Sequence, residues 1–126
     1  MAEDFEPPNL ASALEAQDPV AVAFAIRNGQ TIVPLLPVDG PDQVRVFRRE
    51  DADKYMLLLF SSAESYARML PQETDLRSVP YGRTELREYL ETNIGVLELV
   101  WFDVAGPHPM QAAPTDLLDA LTMDGS

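Results

Sequence analysis

The sequence predicts an α+β fold, in which helices pack on a mixed β-sheet that contains an antiparallel meander of three strands. Two observations lead to this prediction. Three strand-like runs, at residues 31–36, 43–49 and 55–60, follow one another across short polar turns, which is the pattern of a meander. Helix start and stop signals then separate a late apolar run, at residues 96–102, from the first three.

The strand-like runs differ in how much of each is expected to be buried. Residues 55–60 lack polar alternation, which predicts a central strand covered on both faces. Residues 31–36 contain Pro34, which cannot donate a hydrogen bond to a ladder, so this strand is expected at an edge or a bulge. Two shorter strands are expected at residues 76–79 and 110–112.

Two helices are predicted before the first strand, at residues 10–16 and 20–27. Asp18-Pro19 has the residue types of an N-cap and a first helical position. Gly29 is expected to end the second helix in a left-handed conformation. Because residues 21–26 are apolar on nearly every side of this helix, it is expected to be deeply packed.

Three later helices are predicted from capping residues and apolar spacing. Ser61-x-x-Glu64 matches a capping box, and further helices begin near Thr84 and at Pro114. The helix after Ser61 carries an apolar stripe with the spacing of an inward face, namely Ala63, Tyr66, Ala67 and Leu70.

Length and composition predict one domain over residues 9–123, preceded by a flexible acidic segment at residues 1–8. Cysteine is absent, which excludes disulfides, thiolate metal ligands and a cysteine nucleophile. The acidic start does not resemble a secretory signal, and the longest apolar run is far too short to cross a bilayer. A cytoplasmic protein without a membrane partner is therefore expected.

The formal net charge is −12, from 21 acidic and 9 basic residues. The acidic residues are divided almost evenly between the two halves of the chain, so they describe a whole surface and not a tail. Such a surface repels phosphate backbones, which argues against direct nucleic-acid binding. A protein partner, especially a basic one, is compatible with it.

The residue types needed for catalysis are scarce. The pair Ser61-Ser62 lies between a strand and a helix, but it lacks the flanking glycines that a nucleophile elbow requires. His108 is the single histidine, which is too little for a histidine-based metal site or an oriented catalytic base. No phosphate-binding loop occurs. We therefore expect neither an enzyme nor a bound cofactor.

Two groups of side chains are candidates for binding. Aromatic residues at a strand end beside a Gly-Pro loop could rim an interaction surface, which would contain Trp101, Phe102, Asp103 and His108. A local basic group could instead contact an anion through Arg45, Arg48 and Arg49. The competing interpretations are ordinary packing for the aromatics and pairing of the arginines with the nearby acids at residues 50, 51 and 53.

Four segments of the sequence form a recognisable series, namely Thr31-Ile-Val-Pro-Leu35, Leu57-Leu-Leu-Phe-Ser-Ser-Ala-Glu-Ser-Tyr66, Gly95-Val-Leu-Glu-Leu-Val100 and Pro114-Thr-Asp-Leu-Leu118. In this order they resemble the SseB N-terminal-like family, which is named after the enhanced serine sensitivity protein. The resemblance covers residues 10–122 and implies no catalytic residues, although some relatives are associated with bacterial secretion systems.

These observations favour a non-catalytic interaction or accessory domain, for which the resemblance implies a link with bacterial secretion. The alternative is a small-molecule-binding domain or an enzyme that uses carboxylate and arginine side chains. The sequence leaves the partner, the ligand and the oligomeric state open.

Overall fold

A mixed β-sheet with helices packed against it forms the centre of the structure, a computed structural model that describes residues 10–122. The predicted acidic segment at residues 1–8, together with residues 9 and 123 of the predicted domain, lies outside the described residues. In chain order the elements are α1 (Leu10–Ala16), α2 (Pro19–Asn28), β1 (Thr31–Leu35), β2 (Tyr55–Leu59), α3 (Ala63–Met69), β3 (Arg77–Tyr81), α4 (Arg83–Asn93), a 3₁₀ turn (Ile94–Val96), β4 (Leu97–Phe102), β5 (Met110–Ala112) and α5 (Pro114–Thr122).

Strand β4 lies at the centre of one sheet, where it pairs parallel to β2 and antiparallel to β5. Strand β1 pairs antiparallel to β3, and the pair Ile32 and Phe60 links this ribbon to the end of β2. The predicted α+β class and the mixed strand directions are confirmed. Parallel pairing of β2 and β4 places the carboxyl ends of both strands side by side, which decides where the polar residues that follow them meet.

The predicted three-strand meander matches the structure only loosely. Residues 43–49 form no continuous strand, although they contact β1 through Val44 and β2 through Phe47 in isolated bridges. The backbone N–H of Arg45 donates to the carbonyl of Pro34 at 2.9 Å, but Pro34 has no N–H with which to return a bond. The proline therefore faces the side of β1 where only isolated bridges form, which agrees with the prediction of an edge or a bulge.

The sheet separates two apolar clusters, because alternate residues of its strands point to opposite faces. Leu57 and Phe102 belong to the larger cluster, which includes residues of α1, α2, α4 and α5. Leu58 and Phe60 belong to the smaller one, beside Tyr66 of α3. Strand β2 is thus covered on both faces, as its continuous apolar sequence predicts, but the central position that the sequence also predicts for it belongs to β4.

Three local predictions about the helices are wrong. Val20 and Phe24 of α2 are 75% and 50% exposed, so this helix is not packed on every side. Gly29 ends α2 with φ of −124°, outside the left-handed region. The inward residues of α3 are Ser65 and Tyr66, whereas Ala63 and Ala67 of the predicted stripe are exposed.

Candidate functional site

A polar cavity lies beside the carboxyl ends of the two parallel strands. Ser61 follows β2 after one residue, and Asp103 directly follows β4. In sheets with parallel strands, ligands bind at this end, where side chains from adjacent strands converge. The cavity has a volume of about 220 Å³ and is lined by Ala11, Leu14, Ser61, Ser62, Ser65, Arg68, Asp103, Pro107 and His108.

Asp103 is the centre of the hydrogen bonds around this cavity. Its Oδ1 accepts from the backbone N–H of Ser61 at 2.7 Å and from the hydroxyl of Ser65 at 2.9 Å. Its Oδ2 accepts from the Ser61 hydroxyl at 2.6 Å. The backbone N–H of Asp103 donates to the carbonyl of Leu59 at 2.9 Å, which continues the pairing of β4 with β2 by one step. The carboxylate therefore fastens the end of β4 to the turn that leads into α3.

The backbone of Asp103 also has an unusual conformation. Its φ is +48°, in the left-handed region that aspartate and asparagine tolerate better than most side chains. The carbonyl of Asp103 accepts a hydrogen bond from Gly106 N–H at 2.9 Å, which closes the turn after β4. This turn carries the chain round to His108, so both ends of the loop border the cavity.

The residues predicted as one interaction surface do not form one. Phe102 is only 1% exposed and Asp103 only 8% exposed, so neither offers an aromatic or charged patch. Trp101 and Phe102 are neighbours in β4 and therefore belong to the two different apolar clusters on opposite faces of the sheet. Asp103 and His108 do lie together, since both line the polar cavity.

The serine pair has two separate structural roles. The Ser62 hydroxyl accepts from the backbone N–H of Ser65 at 3.1 Å and is the N-cap of α3. The preceding Ser61 is not the cap, contrary to the predicted capping box, because its hydroxyl bonds to Asp103. Within residues 10–122, His108 makes no hydrogen bond to either serine. The arrangement is therefore not that of a serine nucleophile with its base.

Two of the three predicted anion contacts are already paired with carboxylates. Arg45 forms two hydrogen bonds of 3.1 Å with Glu73, and Arg49 forms two of 2.8 and 2.9 Å with Glu98. Arg48, between them in sequence, is exposed. The partners are distant in sequence, so the expected pairing with the acids at residues 50, 51 and 53 is wrong. These arginines do not converge on a shared anion site.

Arg45 connects α3 to the loop that follows it. Its guanidinium donates to the Tyr66 hydroxyl at 3.1 Å and lies 5.1 Å from the centre of the Phe47 ring. The hydrogen bond from Arg45 holds the pKa of Glu73 below its usual value, and the same bond raises the pKa of Arg45. Burial raises the pKa of Tyr66, an effect that Arg45 opposes. These groups stabilise the fold instead of leaving a charge open for a ligand.

The Arg45–Glu73 pair leads to a prediction about acid stability. Because the folded-state pKa of Glu73 is lowered, its stabilising effect is complete above the unfolded pKa of about 4.3 and disappears as pH falls through the folded value. Glu73→Gln is therefore expected to destabilise the domain at neutral pH and to make no difference in strong acid. Urea unfolding of both proteins at about pH 7 and about pH 2 checks this. Glu91→Gln is the control, since Glu91 is exposed and has no ion pair among residues 10–122. Equal effects of Glu73→Gln and Glu91→Gln on stability at neutral pH would contradict the prediction.

A second feature is an apolar groove between α2, α5 and β5. Its volume is about 280 Å³, and all three residues of β5 border it. The groove is lined by Pro19, Val22, Ala23, Ile26, Phe102, Met110, Gln111, Ala112, Asp116, Leu117 and Ala120. Apolar side chains predominate, which is the usual character of a site that receives an apolar anchor.

A second apolar area lies on the exposed side of α2. Val20 and Phe24 are one helical turn apart, so their side chains are neighbours on the helix surface. They line a shallow depression between α1 and α2, which shares no lining residue with the groove. We call Val20, Phe24 and the groove together the α2 surface. Asp116 lines the groove and Asp18 lines the depression, so an acidic residue borders each part.

No family model, curated protein or solved structure matches this chain. Among residues 10–122, no helix has the length and apolar character needed to cross a membrane. The same part of the chain contains no cluster of histidine, aspartate and glutamate side chains arranged to bind a metal ion.

Proposed function

We propose that this domain is a non-catalytic protein-binding module that docks a segment of a partner protein on the α2 surface. The observation that supports the proposal is the exposure of Val20 and Phe24, at 75% and 50%, on a helix of which other residues line an apolar groove. Adjacent exposed apolar side chains are unfavourable in water unless a partner covers them. The groove offers a pocket for one anchor side chain, and the flat helix face offers additional contact area.

Charge indicates what kind of segment binds there. The chain carries a net charge of −12, and the apolar area is bordered by Asp18 and Asp116. A second copy of the chain would bring a further −12 to the same surface, so self-association through it is opposed by electrostatic repulsion. We therefore propose a partner segment with one or two large apolar residues flanked by lysine or arginine.

Selection from a library of short random peptides tests this proposal. The wild-type domain is expected to enrich peptides with an apolar anchor and a positive net charge. Their affinity should fall by about tenfold or more for Phe24→Glu, because the substitution places a charge in the contact area. Val38→Glu is the matched control, since Val38 is 45% exposed and lines neither the groove nor the depression between α1 and α2.

Two results of this selection would contradict the proposal. If no peptide is enriched, or if the enriched peptides bind Phe24→Glu as tightly as the wild type, the α2 surface is not a docking site. Thermal melting of each variant shows whether it is folded. Because the proposed peptides are basic, their affinity is also expected to decrease with rising salt, which screens exposed charges.

The family, the role in secretion and the cellular location of this protein are predictions from the sequence alone. Membership of the SseB N-terminal-like family, and through it an accessory role in bacterial secretion, rests on the resemblance of the four segments. A cytoplasmic location rests on composition. The docking proposal does not depend on any of these, because it is argued from the exposure and charge of the α2 surface.

A further inference from the structure

The polar cavity contains a buried carboxylate without a counter-charge. Asp103 is 8% exposed and forms no ion pair with any residue of the described chain. Its three hydrogen bonds come from a backbone amide and two hydroxyls, all of them neutral groups. An ionised carboxylate can accept about four hydrogen bonds, so about one position is left. A buried charge is costly unless it is paired, and a cation that enters the cavity would supply the missing partner.

An unpaired positive charge borders the same cavity. Arg68, on α3, is exposed and has neither a hydrogen bond nor an ion pair within residues 10–122. Arg68 and Asp103 do not form an ion pair with each other, although both line the cavity. The lining of the cavity therefore includes a buried negative residue and an exposed positive residue that do not pair with each other.

We propose that this cavity binds a small zwitterion of the size of a single amino acid. Its ammonium group donates to the Asp103 carboxylate, and its carboxylate accepts from the Arg68 guanidinium. The volume of about 220 Å³ lies below the roughly 300–1,000 Å³ of pockets for drug-sized ligands, which suits a molecule with few non-hydrogen atoms. Ala11, Leu14 and Pro107 supply apolar wall for a short carbon chain.

The two charged contacts have different consequences for affinity. A charge-assisted hydrogen bond to Asp103 forms away from bulk water and should dominate, whereas the contact to exposed Arg68 is weakened by solvent. An amine without a carboxylate is therefore expected to bind more weakly than a zwitterion, and a carboxylate without an amine should not bind. This proposal is independent of the docking function, because the cavity and the α2 surface share no lining residue.

An NMR titration of the ¹⁵N-labelled protein tests the proposal with glycine, L-alanine and β-alanine as zwitterions. Ethylamine and propionate are the probes that carry one charge only. We expect saturable shifts of the Ser61, Ser62, Asp103 and His108 amide signals with a zwitterion, weaker binding of ethylamine and no binding of propionate. If no zwitterion gives saturable shifts there, or if ethylamine or propionate binds equally well, the proposal is wrong.

Substitutions identify the contacts. Asp103→Asn keeps a side chain of the same shape and is expected to weaken zwitterion binding by about tenfold or more, because the charge is lost. Arg68→Gln, at an exposed position, should remove the preference for a zwitterion over ethylamine. Arg48→Gln is the control for a general effect of charge. Binding that is unchanged in Arg68→Gln overturns the proposal even if Asp103→Asn fails to fold.

Discussion

Phe102→Ala is expected to lower the free energy of unfolding by about 3–5 kcal/mol, the range for truncating a buried phenylalanine. The side chain is 1% exposed and packs in the larger apolar cluster. It also lies between Leu59 of β2 and Met110 of β5, with which it pairs in the sheet. Removing the ring leaves a void where three strands meet, next to the apolar groove. Urea unfolding followed by circular dichroism measures the loss.

Val96→Ala is the control for this experiment, since Val96 is 50% exposed and its truncation should change stability by less than about 0.5 kcal/mol. The comparison also tests the function that the sequence suggests for Phe102. A residue of an interaction surface would lose binding without losing stability. If Phe102→Ala proves as stable as Val96→Ala, the ring does not contribute to the core and its burial between the strands is refuted.

The elements of the fold are largely predictable from local sequence. Asp18-Pro19 predicts the start of α2, where Asp18 accepts a hydrogen bond from the N–H of Val20 at 3.0 Å. The continuous apolar run of β2 predicts its burial, which Leu57 and Leu59 confirm at 0% exposure. Such signals are readable because a cap joins residues close in the chain, and because a strand without polar side chains has no face suited to water.

The polar cavity is not predictable in the same way. Asp103 and Ser61 are 42 positions apart, and they meet only because β2 and β4 are parallel neighbours. Polar turns between the early strands favour a meander, and a meander gives no reason to place these two residues together. The sequence carries a weaker signal: two strongly apolar strands, each followed closely by a short polar side chain. Because β2 and β4 pair in parallel, the polar side chains that follow them lie together at the carboxyl ends of the two strands and form one site.

The exposed face of α2 shows that one sequence pattern is compatible with two structures. A helix that is apolar on nearly every side is either buried in a core or covered by something outside the chain. Deep packing is the simpler expectation, and Val22, Ala25 and Ile26 do meet it. Val20 and Phe24 do not, because no described element covers their side of the helix. That difference is the reason for assigning the docking surface to α2.

Asp103→Ala is expected to lower the free energy of unfolding by about 3–5 kcal/mol, although no apolar packing is lost. Three donors would lose their shared acceptor, two on half-buried Ser61 and one on buried Ser65, and a buried unsatisfied donor costs about 1–3 kcal/mol. Alanine is also less suited than aspartate to a φ of +48°. Ser65→Ala removes only one of these donors and should cost about 1 kcal/mol. Thermal or urea unfolding of the two variants compares them.

Asp103→Asn separates the two roles of this side chain. Asparagine tolerates the left-handed backbone, its oxygen can accept from Ser61 N–H and the Ser65 hydroxyl, and the Ser61 hydroxyl can rotate to accept from its amide. The hydrogen bonds survive while the unpaired buried charge disappears, so stability should stay within about 1 kcal/mol of the wild type. A loss as large as that of Asp103→Ala would show that the charge itself stabilises the fold. A near-neutral result, combined with loss of zwitterion binding, would mean that the hydrogen bonds serve the fold and the charge serves the ligand.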